Sequence, residues 1–123
     1  MEYSSEVQRL FDSPRGAGEL PDGTPGLLTG AAEDRTLHVW VRFQLQVLDG
    51  AIQVARFAAF GCPHTVAAAA LVAERLEGRP VGDAARLEVR SLQAELDVPV
   101  EKLGKLLRIE DALAACRAHS TGT

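Results

Sequence analysis

The sequence predicts an α+β domain in which a small antiparallel sheet of about three strands carries helices packed on one face. Residues 36–47 alternate apolar and polar side chains, as expected of a strand with one buried face. A second strand-like stretch follows, and the segments after it show helical spacing. Strands followed by helices are typical of an α+β domain. At 123 residues the chain fits a single domain, residues 1–123.

The first predicted element is a short helix over residues 4–11, capped by Ser4 or Ser5 and stopped by Pro14. Residues 13–30 are rich in glycine and proline, which no helix or central strand tolerates well. We therefore expect a long ordered loop there, with a short edge strand near residues 27–28.

A β-hairpin is the clearest prediction in the chain. The alternating run TLHVWVRFQLQV leads to Asp49-Gly50, a strong two-residue turn, and AIQVARFAAF returns as the second strand. The implied register places Leu45 opposite Val54. Further along, the apolar residue is Phe57 where the alternation calls for position 56, and this one-residue shift predicts a β-bulge near Ala55 or Arg56. With this register, His38 lies opposite residues 61–62.

Helices account for the rest of the chain. The Ala-rich run 63–76 begins with a proline and is closed by Gly78. We expect a further helical segment over residues 83–95, a break at residues 97–99, and a long amphipathic helix over residues 100–118.

Charge and composition exclude several classes of protein. Thirteen Lys and Arg face seventeen Asp and Glu, a net charge of -4, which argues against nucleic-acid and anionic-membrane binding. No apolar run reaches the roughly 18 residues of a membrane span, and the first residues lack the basic and apolar stretches typical of a signal peptide. Two distant cysteines do not make a disulfide framework. We expect a cytoplasmic protein, either a monomer or a weak homodimer.

Cys62 is the most informative residue, because the run Gly61-Cys62-Pro63 places it at a helix N-terminus. Amide N–H groups and the helix dipole there favour a thiolate, which acts as a nucleophile or a metal ligand. The alternative is an ordinary small core residue. By contrast, Cys116 falls on the apolar face of the last helix and is interpreted as core packing.

Two histidines are the other candidate metal ligands. His64 lies in the first turn beside Cys62, and His38 is carried toward it by the hairpin register. Together they could form a three-ligand site for a metal, completed by a carboxylate such as Asp34 or Glu33. The alternatives are a capping or surface role for His64 and an ordinary half-buried role for His38. Lys105 is either a solvated charge or a partner of the thiolate.

The motifs of common enzymes are absent. The sequence has no Ser/His/Asp set of distinctive spacing, no Gly-rich phosphate loop and no pair of CxxC motifs. We do not expect an enzyme. The one enzymatic alternative uses Cys62 as a nucleophile with His38 as its base.

Several runs nevertheless resemble a known family, the U-type iron–sulfur cluster assembly scaffolds, which include the NifU N-terminal domain, IscU and SufU. The resemblance covers nearly the whole chain. It rests on these runs: Tyr3-Ser4, Phe11-Asp12-Ser13-Pro14-Arg15-Gly16, Ala55-Arg56-Phe57, Phe60-Gly61-Cys62, Glu77-Gly78-Arg79, Val100-Glu101-Lys102-Leu103 and Ile109-Glu110-Asp111-Ala112. It implies a three-stranded sheet with helices packed against it.

Family scaffolds hold a nascent [2Fe–2S] cluster, or zinc, through three cysteines and an aspartate. Only the middle cysteine is matched, by Cys62, while the first cysteine position falls near Thr36 and the third at Lys105. His38 stands at the aspartate position. The family's chaperone-recognition segment is reduced to residues 98–102.

The resemblance therefore implies a protein related to iron–sulfur cluster assembly that is not a full three-cysteine scaffold. It would handle iron, zinc or sulfur through Cys62 with His38 and His64, either as ligands or with Cys62 accepting persulfide sulfur from a cysteine desulfurase. The alternative is a metal-free interaction module that binds a desulfurase or another cluster-assembly partner.

Overall fold

The computed structural model describes residues 3–118. Four antiparallel strands form one sheet in the order β3-β2-β1-β4. Along the chain the elements are α1 (Ser5–Asp12), β1 (Leu27–Asp34), β2 (Val39–Leu48), β3 (Ala51–Phe60), α2 (Pro63–Leu76), α3 (Gly82–Ala85), α4 (Val89–Glu95), a 3-10 turn (Val100–Lys102), α5 (Leu103–Ala114) and β4 (Arg117–Ala118).

One face of the sheet carries the helices and the core, which confirms the predicted α+β architecture. On β2 the side chains of Val41, Phe43 and Leu45 are at most 1% exposed, as the alternation predicted. The opposite face is partly covered by the loop before β1. The backbone N–H of Leu20 donates to Gln44 Oε1 at 2.7 Å, which explains why this glutamine is buried.

The loop prediction for residues 13–30 was wrong at its end. A full eight-residue strand, β1, starts at Leu27 and lies inside the sheet between β2 and β4. The strand passes through Gly30, one of the glycines whose presence argued against a strand in residues 13–30. Here the glycine allows the end of α5 to contact the strand backbone directly, because a Cβ would overlap Ala112 and Ala115.

The predicted start of β2 at Thr36 was also wrong. Residues between Asp34 and Val39 form the turn from β1 to β2. Asp34 Oδ1 accepts from the N–H of Leu37 at 3.0 Å, and His38 has a left-handed backbone with φ 56°. His38 therefore occupies a turn and has no partner on β3, so the predicted pairing of His38 with residues 61–62 does not occur.

The hairpin itself is confirmed, with Leu48 paired to Ala51 across the predicted turn. The bulge lies earlier than predicted, because the register shifts between Gln46 and Val47 and leaves Gln53 as the extra residue. Leu45 consequently pairs with Ala55 and not with Val54. Either bulge would turn Phe57 inward, but only the earlier one buries Ala55, which is 1% exposed.

The outer edge of β3 is paired with other parts of the chain over most of its length. Its backbone groups bond to three segments: Ile52 to residues 78–79, Ala55 to the Glu77 carboxylate, and Phe57 to residues 16–18.

The helical half differs from prediction at its boundaries. Helix 63–76 is confirmed as α2. The single segment predicted over 83–95 is divided into α3 and α4, because Glu110 accepts from the N–H of Val89 at 2.8 Å and fixes a new helix start there. The long helix predicted over 100–118 ends at Ala114, where the chain turns to pair with β1 as β4.

No helix among residues 3–118 combines the length and the apolar character that a membrane crossing would need.

Candidate functional site

Cys62 is the N-cap residue of α2, with φ -75° and ψ 163°, and Pro63 opens the first turn. Its carbonyl accepts the backbone N–H groups of Thr65 at 2.9 Å and Val66 at 3.2 Å. The glycine-cysteine-proline run thus predicted the placement correctly. The cysteine side chain lies at the first turn of the helix, half-buried and unpaired with the other described cysteine.

The surroundings of Cys62 favour the thiolate. Its Sγ lies 3.5 Å from the hydroxyl of Thr65, a side chain with no exposed surface. Partial burial acts to raise the pKa of the Cys62 thiol, but several groups outweigh it: the Thr65 hydroxyl, the backbone N–H groups of Thr65 and His64, and the charge of Lys102. The net pKa is lower than that of an ordinary cysteine thiol.

His64 is 2% exposed and is held from two sides. Its ring contacts Tyr3 edge-on, with ring centroids 4.7 Å apart. Its Nδ1 lies 3.2 Å from Lys102 Nζ. Burial is the largest cause of the lowered pKa of His64, and the charge of Lys102 lowers it further. The charge of Asp97 acts in the opposite direction, and Lys105 adds the smallest contribution to the lowering.

The contact with Lys102 defines what His64 can do. A lysine ammonium has only donors, so Nδ1 must be the acceptor, and the proton of the neutral ring is then on Nε2. In that tautomer neither nitrogen has a free lone pair to offer a metal ion. His64 as found is a partner of a lysine.

His38 belongs to a different group of side chains. It lines a surface cleft at the turn between β1 and β2 together with Glu33, Asp34, Trp40 and Phe60. Within residues 3–118 no group of three His, Cys, Asp or Glu side chains is arranged to hold a metal ion. The structure thus does not assemble Cys62, His38 and His64 into the three-ligand set that the sequence suggested.

Cys116 behaves as the predicted packing residue. Its side chain packs against the core, and its Sγ approaches the carbonyl of Phe43 at 3.8 Å. Burial raises the pKa of the Cys116 thiol to about 11. The two cysteines of the chain are therefore shifted in opposite directions.

Alkylation with iodoacetamide at pH 7.5 should distinguish the two thiols. We expect Cys62 to react at least about 30-fold faster than Cys116, because the thiolate is the reacting form. Peptide mass spectrometry over a time course measures both rates in one sample. Across a pH series, labelling of Cys62 should reach half its maximal rate below the pH of an ordinary thiol. Equal rates at the two cysteines would contradict these pKa shifts.

Sequence reasoning missed Lys102 and Thr65. Thr65 lies in the first turn of α2, the position from which a side chain reaches back to the cap residue, and this spacing could have indicated it. Lys102 is far from Cys62 in sequence, and the single lysine that the sequence suggested beside the thiolate was Lys105. The fold places Lys102 there through the turn that precedes α5.

The sequence of this chain matches a known protein family over nearly its whole length. Residues 2–120 match the model of the NifU-like N-terminal domain. The chain belongs to this family. The family assignment agrees with the resemblance that the sequence motifs had suggested.

Two relatives of the chain share about 30% of the aligned residues with it. It is 32% identical over 119 residues to the iron–sulfur cluster assembly scaffold protein IscU of Rickettsia prowazekii, covering 96% of this chain and 91% of that protein. It is 29% identical over 116 residues to the scaffold protein IscU of Azotobacter vinelandii, covering 94% and 91% respectively.

Solved structures share the fold at lower identity. A protein of Fervidobacterium islandicum AW-1, assigned to iron–sulfur cluster assembly for the SUF system, superposes with a TM-score of 0.70 at 12% identity, over 93% of this chain and 95% of that one. The N-terminal part of a NifU-like protein from Brucella abortus gives a TM-score of 0.58 at 14% identity, over 90% and 77% of the two chains.

Proposed function

We propose that this chain acts as a scaffold-like protein in iron–sulfur cluster assembly and that it handles sulfur or metal through Cys62. Membership of the NifU-like family and relatives named as assembly scaffolds support the general role. The observation that carries the residue assignment is the half-buried Cys62 thiol at the start of α2, with its pKa lowered by Thr65, backbone N–H groups and Lys102.

Acceptance of sulfur is the reaction that this environment supports best. The Cys62 thiolate attacks the terminal sulfur of a donor persulfide, R–S–SH, and forms Cys62–S–SH as the S–S bond of the donor breaks. The donor leaves as the thiol or thiolate R–SH, so the step needs no external oxidant. A cysteine desulfurase is the donor partner that this proposal implies. The chain itself would carry sulfur without being an enzyme.

Binding a metal ion or a cluster would require more ligands than Cys62 alone. An iron–sulfur cluster normally has four thiolate or imidazole ligands, and zinc also takes four. Near the start of α2 the described residues supply one reactive thiolate, while His64 is engaged by Lys102. We infer that iron, zinc or a cluster bound at Cys62 takes its remaining ligands from a partner or from a second copy of the chain.

The test compares the native chain with Cys62→Ala under oxygen-free conditions. Each protein is incubated with a cysteine desulfurase and free cysteine, and intact mass, metal content and acid-labile sulfide are then measured. We expect the native chain to gain the mass of sulfur and Cys62→Ala to gain none. Cys116→Ala is the matched control and should behave like the native chain. Equal sulfur loading of the native chain and Cys62→Ala would remove Cys62 from the proposal.

One observation favours a second function, a metal-free interaction module. Phe60 is 70% exposed and Val100 is 71% exposed, so both apolar side chains are open to contact with a partner. They lie two residues before Cys62 and Lys102, respectively. If neither sulfur nor metal binds the native chain, while it still binds a desulfurase in a pull-down with purified proteins, this second function is the better account.

A further inference from the structure

We propose that Lys102 gives Cys62 a preference for anionic sulfur compounds and that His64 is the positioning residue that holds Lys102 in place. This inference rests on the proposed role of Cys62 as the sulfur-handling residue. It concerns which donors the cysteine selects, a property that can be measured without any assembly partner.

The anchor is the contact between Lys102 Nζ and His64 Nδ1 at 3.2 Å. His64 cannot move freely, because it is 2% exposed and its ring packs edge-on against Tyr3. Lys102 comes from the 3-10 turn before α5, whereas His64 belongs to the first turn of α2. The contact therefore connects two segments and restricts a side chain that would otherwise sample many rotamers.

Because the acceptor of the Lys102 hydrogen bond is a histidine, the positive charge of Lys102 is preserved. A carboxylate partner would neutralise the ammonium, whereas a neutral imidazole accepts its hydrogen bond without cancelling its charge. Within residues 3–118 no ion pair joins Lys102 to a carboxylate. The positive charge of Lys102 thus stays available to act on its surroundings.

That charge reaches Cys62. The ammonium of Lys102 is held 3.2 Å from His64 Nδ1, in the same first turn of α2 that Cys62 caps, and its charge helps to lower the pKa of the Cys62 thiol. An approaching donor that carries negative charge would meet the field of Lys102 together with the positive end of the α2 dipole. Persulfides R–S–SH and disulfides whose R group carries a carboxylate belong to this class, whereas neutral and cationic donors gain nothing from it.

The test uses three alkyl disulfides that differ in charge: anionic 3,3′-dithiodipropionate, neutral bis(2-hydroxyethyl) disulfide and cationic cystamine. In each reaction the Cys62 thiolate attacks one sulfur, the S–S bond breaks, and the other half leaves as a thiolate. Rates are measured by intact mass, with Cys62→Ala reporting the background from Cys116. Dividing the anionic rate by the neutral rate cancels changes in the general reactivity of the thiol.

We expect Lys102→Gln to lower this ratio about two- to fivefold, the factor that corresponds to a partly exposed charge pair. Lys102→Arg keeps the charge and should restore most of the ratio. Lys105→Gln removes the same charge three residues further along the chain and should change the ratio less. His64→Gln should lower the ratio in the same direction as Lys102→Gln while Lys102 remains present.

An unchanged ratio in Lys102→Gln would overturn the proposal, and so would equal effects of Lys102→Gln and Lys105→Gln. Circular dichroism confirms that each variant is folded before its rates are compared. A folded His64→Gln with an unchanged ratio would remove the positioning role of His64. Should His64→Gln not fold, the three lysine variants still decide the role of Lys102. Charge selectivity without sulfur loading by a desulfurase would retain this inference and refute the proposed function.

Discussion

Gly30→Ala should destabilise the fold by about 3 kcal/mol or more, because the close contact between strand and helix leaves no space for a methyl group. Gly30 lies inside β1, paired with Phe43 of β2. An added Cβ would lie 2.6 Å from the carbonyl carbon of Ala115 and would also overlap backbone atoms of Ala112 and Cys116. These are backbone atoms, so the end of α5 would have to move.

Replacing a glycine by alanine also stabilises a fold slightly, but this stabilisation is much smaller than the steric destabilisation expected at Gly30. Restricting the unfolded chain contributes only about 0.4–1 kcal/mol in favour of alanine. Gly23→Ala is the matched control, since a Cβ at that position has no atom within 4 Å. Urea unfolding followed by circular dichroism measures both variants. A Gly30→Ala protein as stable as Gly23→Ala would mean that the end of α5 does not rest on β1.

Phe43→Ala should cost about 3–5 kcal/mol of unfolding free energy, the range measured for buried phenylalanines. Phe43 has no exposed surface and lies at the centre of the sheet, between Gly30 on β1 and Phe57 on β3. Truncation removes a large apolar contact and leaves a cavity that the paired strands cannot close easily.

Phe60→Ala provides the same chemical change at an exposed position of the same sheet. Phe60 is 70% exposed at the end of β3, so its truncation should alter the unfolding free energy by no more than about 0.5 kcal/mol. The difference between the two variants isolates the effect of burial. Similar losses in both would indicate that Phe60 is covered in solution, for example by a second copy of the chain.

Local patterns predicted the elements that depend on neighbouring residues. The sequence correctly predicted three features: the alternation on β2, the Asp49-Gly50 turn and the start of α2 at Pro63. Each sequence signal lies within a few residues of the structure that it specifies. The errors lie where distant segments decide. β1 is stabilised by pairing with β2 and by the approach of α5 to Gly30, and neither contact is visible in the composition of residues 13–30.

In the candidate site, too, features set by neighbouring residues were predicted and features set by distant segments were not. The position of Cys62 at the start of a helix followed from its immediate neighbours. The predicted approach of His38 to Cys62 depended on extending the hairpin register back past Val39, where β2 starts. Residues 35–38 form a turn, so the register does not reach His38. Lys102 reaches His64 only because α5 packs beside α2, a tertiary contact that no short motif encodes.

The covered edge of β3 limits how another molecule can associate with this sheet. An edge strand with open backbone groups can accept a further strand from a partner or nucleate aggregation. On β3 the groups that would form those bonds are already used, between Ile52 and Phe57, by residues 78–79, Glu77 and residues 16–18. A partner that approaches this side must therefore recognise side chains and surface shape, and cannot extend the sheet along this stretch.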